Sequence, residues 1–99
     1  MLSYKTESEL EEIIKKFEVP KLSYLERKDA GPDEEIYFFR DEEGGGHYGI
    51  WSRDTMSELQ YEKNELKNHY NIDVKQWIKT KDEDEVVDYK GDLFALFEL

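Results

Sequence analysis

The chain has 99 residues, no cysteine, 25 acidic and 14 basic side chains, and a formal net charge of −11. That length allows one domain, and the missing cysteines exclude a disulfide framework and any Cys-ligated zinc or iron–sulfur site. The charge disfavours direct contact with nucleic acid or an anionic membrane and favours a basic partner, because phosphate contacts need a positive patch.

In chain order, Thr6 and Glu9 have capping-box spacing, and Leu10, Ile13, Ile14 and Phe17 follow on one helical face. A first helix is predicted over about residues 7–18, stopped by Pro20. Residues 21–28 read as a strand and 29–34 as a turn or loop. Residues 35–41 and 47–52 are strands by their Ile, Tyr, Phe and Trp content, and 42–46 is of hairpin length. Asp54, or Thr55 with Glu58, suits a helix start, so a second helix is predicted over about 55–70, with Asn71 as a left-handed stop.

Residues 72–78 carry two patterns. Asp73 and Gln76 match a capping box, and the alternation through Ile72, Val74 and Ile78 matches a strand; the short helix is the preferred reading. A charged loop follows over 79–85. Residues 85–89 and 92–99 read as strands joined at Lys90–Gly91 in a second hairpin. The order α-β-β-β-α-(α)-β-β predicts one small α+β domain spanning 1–99. It has an antiparallel sheet of about four to five strands with two or three helices packed on one face. No apolar run reaches membrane-spanning length, and the first dozen residues lack the apolar core of a secretory signal, so a soluble, cytoplasmic protein is expected.

Catalytic and ligand motifs are sparse. In "RDEEGGGHYGIWSRD" (40–54) a strand, not a helix, follows the glycines, and there is no Gly-Lys-Ser/Thr and no GxGxxG. A flexible hairpin is expected there, not a phosphate cradle. Neither 40–46 nor 82–85 has EF-hand spacing. His47 and His69 fall on different predicted elements with no histidine partner, and the serines at 3, 8, 23, 52 and 57 lack a nucleophile-elbow context. No cofactor, metal or enzymatic activity is expected.

Charge and aromatics point to recognition instead. Residues 82–99 carry seven acids and one base, more than half of the net charge. Asp41, Glu42 and Glu43 form one acidic focus, and Asp82, Glu83, Asp84 and Glu85 a second. Tyr48 and Trp51, just behind the first, are the expected anchors, since Tyr and Trp are common at interfaces. The hairpin is apolar on both faces, so its outer face is either covered or partly exposed. The expected function is a non-enzymatic acidic inhibitor that blocks the basic surface of a nucleic-acid-processing protein such as a nuclease. Anti-restriction, anti-CRISPR and nuclease-immunity proteins share this physical type, though no family motif is present. A generic acidic adaptor with a partner unrelated to nucleic acid is the alternative, and a small enzyme or metal-binding protein ranks last.

Overall fold

The computed structural model describes residues 5–31 and 34–99. Its elements run α1 (Glu7–Ile14), β1 (Leu22–Gly31), β2 (Glu34–Asp41), β3 (His47–Arg53), α2 (Leu59–Tyr70), β4 (Gln76–Ile78), β5 (Val87–Tyr89) and β6 (Asp92–Glu98). The six strands form one antiparallel sheet in the order β1-β2-β3-β6. The two short strands share the far side of β6: β4 pairs with its C-terminal half and β5 with its N-terminal half. The α+β domain expected from the sequence is therefore present.

Strand side chains alternate between faces, and the central hairpin is apolar on both. Tyr37, Phe39, Ile50, Phe94 and Leu96 line one face, which Leu10 and Ile13 of α1 and the following Phe17 cover. Ile36, Trp51 and Phe97 line the other, where Leu66 of α2 and the following Ile72 and Val74 cover them. The helices thus lie on opposite faces, which corrects the one-face packing read from the sequence. A sheet with two apolar faces needs cover on each.

Several boundaries differ for identifiable reasons. The Thr6–Glu9 capping box forms as expected. However, α1 ends at Ile14, because residues 16–18 leave the helix to bond with 79–81. Glu18 N–H donates to the Lys79 carbonyl, Lys81 N–H donates to the Lys16 carbonyl, and Phe17 bridges Thr80. The expected loop at 29–34 is mostly ladder, with Asp29 opposite Glu35 and Gly31 opposite Glu34; Pro32 and Asp33 lie outside the described residues. The second helix starts at Leu59, not near 55. Neither Asp54 nor Thr55 caps it, and its N-cap, Glu58, makes no side-chain bond.

The 72–78 segment is the clearest correction. Asn71 stops α2 in the left-handed region (φ 56°), as expected, and Ile72 N–H closes back on the Leu66 carbonyl. The chain then runs extended into β4, not into a third helix. Asp73 pairs with Lys67 instead of capping, and Gln76 donates to Glu98 across the ladder. Extended backbone puts both Ile72 and Val74 into the α2-side core; in β4 Trp77 continues that face and Ile78 turns to the α1-side core, so the alternation through Ile78 does not hold. The second hairpin forms at Lys90 (φ 54°) and Gly91 (φ 91°), two successive left-handed residues as a type I′ turn requires.

Candidate interaction surface

The acidic tip is built by the β2–β3 turn. Gly45 sits at φ 75°, and Asp41 N–H donates to the Gly46 carbonyl to close the loop. Asp41 does not project outward. Its carboxylate folds over the turn, accepts from the Glu43 N–H at 2.9 Å, and lies 2.6 Å from where a Cβ on Gly44 would stand. Backbone donors from Gly44 and Glu43 hold its carboxyl below the usual carboxylate range. Glu42 is drawn sideways to β1, accepting from Ser23 Oγ at 2.7 Å and facing Lys21 Nζ at 3.7 Å. Glu43 is exposed and makes no side-chain bond among the described residues.

The two expected aromatic anchors are mostly committed to the interior. Trp51 is 1% exposed, on the α2 side of the sheet, and has no surface to offer a partner. Its position follows from strand parity: Trp51 sits beside Ile36 in the ladder, on the face α2 covers. Tyr48 is half-buried against the α1-side core; burial, with Glu98 and Asp41 nearby, raises its hydroxyl pKa. The exposed apolar groups near the tip are instead Tyr24 (36%) and Leu25 (46%) on the edge strand β1. Leu25 is the extra residue where the β1–β2 register shifts between Tyr24 and Glu26. A strand pattern gives no sign of such a bulge, so the sequence reading passed over both.

The second acidic segment, residues 82–85, is exposed throughout. Thr80 anchors it: its N–H donates to the Asp84 carbonyl, and its Oγ1 accepts from the Asp84 N–H, both at 2.9 Å. Glu83 takes a left-handed conformation (φ 69°) within this tight loop. Asp82 and Asp84 border a hollow of about 560 Å³ together with Lys15, Lys16 and Lys81.

The two acidic segments do not merge into one patch. They lie at the ends of a run of three hollows beside α1. The hollow at Asp82 shares Lys15 and Lys81 with a middle one of about 460 Å³. The middle one shares Glu11, Ile14, Lys21 and Leu22 with a third of about 360 Å³, which reaches Glu42. Three lysines and Glu11 therefore lie between the two acidic segments.

Two buried polar groups escaped the sequence reading. Glu62 is fully buried, and its carboxylate accepts from Trp51 Nε1 at 2.7 Å, Arg53 Nη1 at 2.9 Å and the Ser57 N–H at 2.9 Å. Arg53 also reaches Glu34 at 3.0 Å, and Tyr70 hydroxyl donates to the Ala30 carbonyl and Glu34. This network ties α2 to β1, β2 and β3. Glu35 is 3% exposed, and its Oε2 has no hydrogen-bond partner although Arg27 Nε lies 3.5 Å away. Burial, with Asp29 beside it, pushes its carboxyl up to about 7, against the pull of Arg27. Directly across the ladder, the buried Ser52 Oγ is also unpartnered.

His47 is exposed at the start of β3, and His69 faces Glu65 at 3.3 Å in the last turn of α2. Among the described residues no three His, Asp or Glu side chains gather to hold a metal ion, and no helix is long and apolar enough to cross a membrane. Compared with protein-family models, curated proteins and solved structures, the chain matches none of them.

Proposed function

We propose that this protein is a non-enzymatic acidic inhibitor that binds the basic surface of a nucleic-acid-processing protein, of the anti-CRISPR, anti-restriction or nuclease-immunity type. The observation that supports it is an acidic excess of −11 with two exposed acidic segments on ordered turns. Glu43 and the 82–85 carboxylates are free to meet Lys and Arg groups that otherwise hold phosphates. Such contacts speed association and make it salt-sensitive. In this reading Tyr24 and Leu25 supply the apolar anchor beside Glu42, with Tyr48 contributing its exposed edge.

The test is capture of partners from the native host on the immobilised protein, with competition by duplex DNA and by salt. A partner that DNA displaces, and that a Glu42→Lys, Glu43→Lys variant no longer holds, supports the inhibitor reading. Binding that persists unchanged in excess DNA and at high salt rejects it and leaves an adaptor with a partner unrelated to nucleic acid.

A further inference from the structure

From the middle hollow beside α1, we infer a binding site for a single-chain carboxylate, a fatty-acid-like monoanion. The inference does not depend on the inhibitor reading. The hollow's floor is apolar: Ile14, Phe17, Val19, Pro20 and Leu22. Its volume of about 460 Å³ falls in the range of small-ligand sites. Lys15, Lys21 and Lys81 stand on its rim, with Glu11 as the one acid. Lys21 is shared with Glu42, but Lys15 and Lys81 make no ion pair among the described residues. In a chain with 25 acids and 14 bases, two cations left unpaired over one apolar floor need a physical reason.

The backbone around the hollow favours a hydrocarbon over a peptide. Phe17, Glu18, Val19 and Lys81 already donate their N–H groups to Ile14, Lys79, Phe17 and Lys16. The Lys21 carbonyl accepts from Glu42, and Pro20 has no N–H to give. An extended peptide would find few main-chain partners there, whereas an alkyl tail needs none. The charge count favours a monoanion: two uncommitted lysines balance one carboxylate, while Glu11 and the neighbouring Asp82 oppose a second negative charge. An anionic bilayer is disfavoured by the exposed acids at 82–85, next to Lys81.

The experiment titrates the full chain with monomeric hexanoate, octanoate and decanoate, followed by amide chemical shifts and calorimetry. Saturable binding is expected, with shifts centred on residues 14–22 and 79–82. Affinity should rise up to about fourfold per added methylene until the floor is covered. Decan-1-ol should bind more weakly than decanoate. A Lys15→Glu, Lys81→Glu variant, altered only at exposed positions and checked by circular dichroism, should weaken decanoate by about tenfold. Any of four results overturns the inference: no saturable binding, shifts centred elsewhere, equal affinity in the double variant, or binding only to phosphatidylglycerol vesicles or to an acidic decapeptide.

Discussion

Gly49 and Phe97 are register partners across β3 and β6, and the Phe97 ring lies where a side chain on residue 49 would begin. A Cβ on Gly49 would meet Cζ, Cε2 and Cε1 of that ring, the last at 2.9 Å. Glycine is thus required by close approach; its backbone is not in the left-handed region. The ring itself is held from the far side by Trp77, edge-on with centroids 5.7 Å apart. Gly49→Ala should therefore destabilise by about 1–3 kcal/mol through overpacking. Phe97→Ala should cost about 3–5 kcal/mol through the cavity it leaves. The two should not add: in the Phe97→Ala background, Gly49→Ala should cost much less, as read by urea denaturation of all four proteins. Strict additivity would mean that the ring does not occupy the place assigned to it.

Glu62 tests the other core. Its carboxylate is the common acceptor for Trp51, Arg53 and the Ser57 backbone, and no water-facing route relieves it if a partner is lost. Removing one member of a buried, hydrogen-bonded ion pair leaves the other charge uncompensated. Glu62→Ala should cost about 3–5 kcal/mol. Arg53→Met should cost at least as much as Glu62→Ala, because it leaves a fully buried carboxylate without its cation, whereas in Glu62→Ala the partly exposed Arg53 keeps Glu34. Chemical denaturation gives the order, and the tryptophan emission reports whether the indole loses its partner. A Glu62→Ala protein as stable as the parent would show that the network contributes nothing net.

These two examples mark what was legible in the sequence. Periodicity located α1, and runs of strand-forming residues on either side of a short turn located the central and 87–98 hairpins, because both are local signals. It could not say which of two apolar sheet faces a given helix covers; that depends on where α2 returns after β3. It also misjudged residues 72–78, where a capping-box spacing competed with alternation and the burial of Ile72 and Val74 decided the outcome. Glu62 and Glu35 looked like two more surface acids. Their burial comes from contacts with other elements and across strands, which spacing does not encode. At the candidate surface, exposure of the 82–85 acids followed directly from composition. The inward fold of Asp41 and the burial of Trp51 did not.

Within the acidic tip, Asp41 and Glu43 should separate by experiment. Asp41 accepts from the turn backbone, so Asp41→Ala should lower the thermal midpoint and loosen the hairpin. Glu43→Ala should leave stability unchanged within about 0.5 kcal/mol, as expected of an exposed group without partners. Amide exchange at residues 43–46 reads the loosening directly. If both substitutions leave exchange untouched, Asp41 is as free as Glu43, and the tip has two independent acids to present beside the tethered Glu42.

Glu35 gives the protein a pH dependence of defined sign. Its folded-state pKa, about 7, lies above the ordinary value of 4.5, because burial and Asp29 outweigh Arg27. Below about pH 4.5 the carboxyl is protonated in both states and adds no slope. As pH rises from 4.5 to 7 the unfolded chain releases the proton while the folded chain retains it, so stability falls. Above 7 both states are ionised and the loss levels off, having reached about 3 kcal/mol at most. Glu35→Gln removes this slope and keeps a neutral side chain of similar shape beside Ser52. Urea midpoints of both proteins at pH 4, 5.5, 7 and 8 should therefore diverge as pH rises, with the variant gaining relative to the parent. Other carboxylates titrate in both proteins and cancel in the difference. Parallel profiles would place Glu35 in an ordinary, solvated environment, contrary to its burial in the sheet.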